Sequence, residues 1–250
     1  MGFAEADLTH DAFLGGRVHA WQPRNGYRAA TDPVLLAAAV EAAPGESVLE
    51  LGCGAGVASL CLSARVPDLS LTGVERQEDY ADLARRNLDP EARIITADLM
   101  GLPADLLQES YDHVIANPPY YPVGGGTSAR DAGREAALRE ETPLEMWVDV
   151  AARRLAPKGW LTMIQAADRL PEMLAAMAPR LGSITLRPLA ARKGRAAKRV
   201  LVKARKGGRA PFVLLPPLIL HDGPAHQSDG DDFTLLARAI LRDAAPLPWV

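Results

Sequence analysis

The chain has 250 residues, 48% of them hydrophobic and 24% charged, a balance that supports a folded core and excludes a disordered tail protein. No run of 18 apolar residues occurs, and the opening MGFAEADLTHDAF carries acids where a secretory or transit signal carries bases. A cytoplasmic protein without a membrane span is therefore expected, and the formal charge of -3 taken alone argues against a nucleic-acid partner.

The first 30 residues read as irregular polar chain, ending at Thr31-Asp32-Pro33, the capped start of a helix to about residue 42. From residue 47 onward, short apolar runs alternate with amphipathic stretches, the pattern of a βα-repeating parallel sheet. Strands are expected at 47–51, 69–75, 92–96, 113–117, 160–165, 183–189 and 197–204. Helices are expected at 57–66 and 78–87, and at 143–155, where Thr142 reads as a cap, Pro143 as the first helical residue and Glu145 as a first-turn acid. After residue 175 the helical links thin out and β-like runs follow one another, as in an antiparallel return at a sheet edge. Another apolar run spans 213–220, and a Gly/Asp/His-rich loop at 221–232 leads to a last short helix. Cys53 and Cys61 are too few for a disulfide scaffold; with no CxxC and no histidine cluster, both are expected as buried thiols and no metal is expected.

At Glu50-Leu51-Gly52-Cys53-Gly54-Ala55-Gly56 an apolar strand runs into a glycine turn and then a helix, so backbone N–H groups face whatever binds there; a tight turn without a ligand is the competing reading. A dinucleotide fingerprint wants glycine where this chain has Val57, and the third glycine comes one residue early at Gly56. With Glu75 ending the next strand, placed to accept from two ribose hydroxyls, the pattern suits S-adenosylmethionine better than NAD. Asp98 and Leu99 end the third strand, where Asp98 can accept from an adenine amine or cap the next turn, and Leu99 can pack on the ring.

Asn117-Pro118-Pro119-Tyr120 follows the fourth strand. Two prolines remove two donors and fix the chain, so the Asn117 side-chain oxygen and the Pro118 carbonyl form an acceptor pair suited to a planar NH2 group, with Tyr120 placed to stack on a flat base; a proline-rich loop is the alternative.

With these four ordered signals, residues 47–165 resemble the class I S-adenosylmethionine methyltransferases, in the amino-methylating branch with the N-P-P-Y motif. The resemblance implies an α/β, Rossmann-like seven-stranded sheet, mostly parallel with an antiparallel edge and helices on both faces. The expected organisation is one domain over 1–250: a segment covering the cofactor at 1–46, the catalytic core at 47–165, and edge strands with a basic patch at 166–250. Phe13-Leu14-Gly15-Gly16-Arg17, Trp21 to Arg28, Thr31-Asp32-Pro33 and Leu35-Leu36-Ala37 look like the opening of bacterial tRNA adenine-N6 methyltransferases acting beside the anticodon of a valine tRNA, at position 37. The cofactor residues so implied are Arg28, Thr31, Asp32, Glu50, Gly52, Gly54, Gly56, Glu75, Asp98, Leu99 and Asn117, with Asn117, Pro118, Pro119 and Tyr120 catalytic. Arg28 paired with Asp32 on a helix surface is the alternative. The branch also includes guanine-N2 and glutamine-amide methylation, and a non-catalytic RNA-binding module is a reading of another class.

The charge is unevenly placed. Between Met173 and His221 lie eleven Lys and Arg and no acid, against seventeen basic and thirty-one acidic residues elsewhere. Arg192, Lys193, Arg195, Lys198 and Arg199 are expected to track RNA phosphates, the alternative being a solvated edge strand. The loop at 122–134, with three glycines, is a candidate cover for the target base.

Overall fold

The computed structural model describes residues 2–122, 139–140, 142–225 and 232–250. Two antiparallel strands, β1 (Leu8–Phe13) and β2 (Val18–Pro23), come first, and helix α1 (Thr31–Ala39) follows. The core then alternates β3 (Ser47–Leu51), α2 (Val57–Ser63), β4 (Ser70–Glu75), α3 (Glu78–Asn87), β5 (Arg93–Thr96), β6 (Tyr111–Ala116), α4 (Leu144–Arg154), β7 (Leu155–Ala166), α5 (Leu170–Met177), β8 (Gly182–Ala190) and β9 (Arg199–Arg205). Two short strands, β10 (Val213–Leu214) and β11 (Leu218–Ile219), precede α6 (Leu235–Asp243).

The main sheet runs in the order β10-β8-β9-β7-β6-β3-β4-β5, with β11 also on β8. Strands β3 to β7 are mutually parallel and β9 is antiparallel to both its neighbours. This is the expected seven-stranded sheet with an antiparallel edge, extended by two two-residue strands. From β3 the chain moves one way through β4 to β5 and then returns to the other side as β6. The crevice at that switch point, outside the carboxyl ends of β3 and β6, is where ligands bind in such sheets.

Period-two alternation along the strands divides the core. Val48, Ile115, Ile164 and Leu201 face the side covered by α1, α2 and α6. Their neighbours Leu49, Val114, Met163 and Val202 face α4 and α5 on the other side.

Three local expectations are corrected. The opening is a β-hairpin rather than irregular chain; its turn has left-handed backbone at Leu14, Gly15 and Gly16 (φ 52°, 67° and 89°). Thr31 lies inside α1, behind Ala30 at the cap position, and α1 ends at Ala39. Pro143, not Thr142, precedes α4, and neither helix start has a side-chain cap. The sequence reading also lacks helix α5, although Pro171 and Glu172 in its first turn are start signals. The loop expected at 122–134 to cover the base lies outside the described residues apart from its first position.

No described helix is long and apolar enough to cross a membrane, and among the described residues no three His, Cys, Asp or Glu cluster as metal ligands. Cys53 and Cys61 are buried free thiols.

Candidate active site

A cavity of about 460 Å³ opens at the switch point, within the range of small-molecule sites. Its floor is the turn after β3. Gly52, Gly54 and Gly56 all have left-handed backbone, with φ of 65°, 53° and 78°. At Gly52 a side chain is doubly excluded, because a Cβ would lie 2.5 Å from the Trp147 ring. Gly54 lines the cavity and its N–H donates to Glu75 Oε2 at 2.9 Å. Gly56 stands behind the lining, its missing Cβ leaving room for Leu88.

Each acid at a strand end is anchored. Glu75 accepts from the N–H of Gly54 and, at 2.8 Å, from that of Gln77, while burial pushes its carboxyl up against those hydrogen bonds. Asp98 accepts from the Met100 N–H at 2.8 Å and lines the cavity, so it both caps the following turn and faces the ligand space. Leu99 lies beside it, buried.

Glu50 takes a place that the glycine turn alone does not reveal. Its Oε2 accepts from the Ser59 N–H at 3.1 Å and from Ser59 Oγ–H at 2.5 Å, so a carboxylate already occupies the first turn of α2. Burial pushes Glu50 up to about 7, opposed by the Ser59 hydrogen bonds. Because its ordinary value is 4.5, the unfolded chain releases this proton first as pH rises. The contribution to stability is present in full below pH 4.5, falls as pH rises toward about 7, and is flat above, a loss of about 3 kcal/mol. Thermal unfolding from pH 4.5 to 8 checks this: Glu50→Gln, which keeps an acceptor for Ser59, should flatten the decline and be the more stable form at pH 8.

On the opposite wall, Asn117 follows β6. Its Oδ1 is buried without a hydrogen-bond partner, and its Nδ2 lies 3.5 Å from Tyr27 Oη as donor. Tyr27 is fixed in turn by Tyr80, whose hydroxyl accepts from the Tyr27 N–H at 2.8 Å and donates to the Tyr27 carbonyl at 3.1 Å. Burial, with Glu50 nearby, pushes Tyr27 up to about 12, so its phenol stays neutral. The Pro118 carbonyl accepts from Gln165 Nε2 at 3.5 Å, and that of Pro119 from the same group at 3.3 Å. Tyr120 donates its hydroxyl to Asp32.

The cofactor and catalytic residues expected from the sequence thus meet in one cavity, apart from Gly56, but several make other contacts. Arg28 pairs with Asp11 at 2.5 Å and not with Asp32. Asp32 instead pairs with Arg199, whose Nη1 also donates to Thr31 Oγ1 at 3.4 Å. Arg192, expected on a phosphate-tracking rim, is buried: its guanidinium bonds the Asp222 and Gly223 carbonyls and pairs with Asp232. Lys193, Arg195 and Lys198 are exposed.

Gln22 and Tyr27, within the segment expected over the cofactor but given no role of their own, line the cavity, and Tyr80, Trp147 and Gln165, which escaped the sequence reading, line or brace it. Gln22 clasps the segment before α1, accepting from the Ala29 N–H at 2.6 Å and donating to Asp11 at 2.7 Å. Gln165 had a legible signal, a polar residue ending an apolar strand on the crevice side.

The chain matches the methyltransferase small domain family over residues 30–185. A tRNA1(Val) (adenine(37)-N6)-methyltransferase of Porphyromonas gingivalis is 31% identical over 238 residues, covering 88% of this chain and 92% of that protein. A release factor glutamine methyltransferase of Chlorobaculum tepidum is 30% identical, over 50% of this chain and 47% of its own length. Among solved structures, a predicted O-methyltransferase from Agrobacterium tumefaciens superposes with a TM-score of 0.70 at 27% identity, covering 86% of this chain and 98% of that one. With the family matched over more than half its length and a relative matched nearly end to end, the chain belongs to the methyltransferase small domain family, within the class I S-adenosylmethionine-dependent methyltransferases.

Proposed function

We propose that this protein transfers a methyl group from S-adenosylmethionine to the N6 amine of an adenine in tRNA, with position 37 of a valine tRNA as target. The observation that carries the acceptor class is the buried, unpartnered Asn117 Oδ1 on the cavity wall beside the Pro118 carbonyl. An amine has two hydrogens to give, one to Asn117 Oδ1 and one to the second lone pair of the Pro118 carbonyl, which already accepts from Gln165. A hydroxyl has one hydrogen and would serve only one of the two oxygens.

The cavity fits the cofactor by the acceptors that line it. Glu50 fills the first turn of α2, which disfavours the pyrophosphate of a dinucleotide there. Glu75 and Asp98 line the cavity as acceptors for a ligand with hydroxyl and amine donors and no phosphate, while Asp32 there is neutralised by Arg199. Glu75 would hold the ribose hydroxyls, Asp98 and Leu99 the adenine, and Gly52 and Gly54 the cofactor backbone. When bound, S-adenosylmethionine supplies an electrophilic methyl group on a sulfonium.

Asn117 and the Pro118 carbonyl orient the neutral target amine, and Tyr120 stacks on its base. As the amine nitrogen becomes bonded to carbon, positive charge develops on it, and the two fixed oxygens stabilise that charge without reorganising. Gln165 holds the carbonyls of Pro118 and Pro119, and Tyr27 holds the Asn117 amide. Orientation and charge stabilisation carry the rate, with no covalent enzyme intermediate.

The near full-length relative supports tRNA adenine over the release-factor amide, whose relative matches half of the chain. Incubation with total tRNA and labelled cofactor, followed by nucleoside mass spectrometry and mapping of the position, should give N6-methyladenosine. N2-methylguanosine, or label in protein alone, would overturn this reading.

A further inference from the structure

Three segments far apart in the chain converge on Tyr120. Its hydroxyl donates to Asp32 in the first turn of α1, and the other Asp32 oxygen pairs with Arg199, the first residue of β9. Arg199 also reaches Thr31 Oγ1. The Asp32 and Arg199 side chains are 17% and 26% exposed, so the pair is largely shielded. Asp32, Tyr120 and Arg199 all line the cavity. From β7, Gln165 holds the two preceding carbonyls.

A phenol ring pinned only at Cβ can still turn about its side-chain bonds. Pinning it also at the para oxygen fixes the ring axis, and because a phenolic O–H lies in the ring plane, the direction of a charge-assisted bond to a carboxylate sets the turn about that axis as well. Asp32 needs a cation to hold it in place when it gives one oxygen to the phenol. Arg199 supplies that, and the pair is then net neutral, so Arg199 contributes little to the attraction of phosphates. The preceding residue, Lys198, is exposed and has no ion-pair partner among the described residues.

We infer that Asp32 and Arg199 are positioning residues for Tyr120, fixing the plane on which the target base stacks, and are not contacts to cofactor and to RNA phosphate respectively. This rests on the proposed adenine methylation and assigns new work to residues within that site.

The test combines kinetics, binding and salt dependence on the full chain, with thermal unfolding confirming that each variant is folded. Tyr120→Phe keeps the ring and cuts the link; it should lower kcat about tenfold at unchanged dissociation constant for S-adenosylmethionine measured by calorimetry. Asp32→Ala and Arg199→Met should do the same, Arg199→Lys should recover part of the loss, and Asp32→Ala should add less than twofold on top of Tyr120→Phe. Arg199→Met should leave the salt slope of tRNA binding as it is, whereas Lys198→Ala should lower it by about 0.7–0.9 if that lysine meets one phosphate. Multiplicative losses in the double variant, cofactor binding weakened in step with kcat, or a salt slope reduced by Arg199→Met would each overturn the assignment. A native enzyme that makes no N6-methyladenosine overturns the underlying reading, and the base-positioning role with it; a native enzyme that does so while all three variants match it overturns the positioning role alone.

Discussion

Asn117→Ala should lower methyl transfer to tRNA by about 100-fold to 1000-fold, the scale on which loss of one preorganised charge-stabilising group acts. Cofactor affinity should change little, because the Glu75 and glycine-turn contacts lie on the other wall. The effect is large because Asn117 Oδ1 is buried and makes no hydrogen bond within the protein. It is available to the amine without first breaking another bond, so little reorganisation opposes its use. Its orientation is maintained by Tyr27, itself held at both its N–H and its carbonyl by Tyr80. Asn117→Asp keeps an oxygen in the same place and should retain more activity than alanine. Single-turnover rates with saturating cofactor measure this directly, and equal rates for alanine and native protein would remove Asn117 from the chemistry.

Glu75→Ala should weaken S-adenosylmethionine binding about 100-fold or more. Hydrogen bonds to an ionised group are worth about 1.5–3 kcal/mol each, and the proposed ribose contact uses two. The substitution also frees the N–H groups of Gly54 and Gln77, so the glycine turn loses an internal anchor as well as the ligand its acceptor. Glu75→Gln, which keeps one oxygen, should lie between the two. Calorimetric titration with the cofactor checks the series; native-like affinity in the alanine variant would move the ribose elsewhere.

Much of the core was legible because its periodicities are strong. The helix at 78–87 and the strand at 47–51 coincide with α3 and β3, and β4, β5, β8 and β9 fall within two residues of expectation. The motifs were legible because each terminates a strand in the same parallel sheet, and parallel strands bring their carboxyl ends to one edge. The hairpin β1–β2 was not legible. One of its faces carries Asp11 and Gln22 toward a polar clasp rather than an apolar core, so the alternation that marks a half-buried strand is absent. The role of Thr31 as a helix cap failed for a related reason: its hydroxyl meets Arg199, 168 residues away, and a local pattern contains no such partner.

The sequence by itself determined the sheet, the glycine turn and the acceptor motif, because these depend on spacing along one strand or turn. It also determined that one stretch holds eleven bases and no acid. Only the tertiary structure decided what those bases face. Arg180 meets Glu145 and Asp149, Arg192 meets Asp232, Arg199 meets Asp32, and Lys203 meets Glu41. Arg187, Arg205 and Lys206 donate to carbonyls, which leaves Lys193, Arg195, Lys198 and Arg209 exposed without an ion-pair partner among the described residues. Separation of charge along the chain is one-dimensional, whereas Coulomb interaction follows distance in space, and folding brings acids from the rest of the chain within a few ångströms of four of the eleven bases.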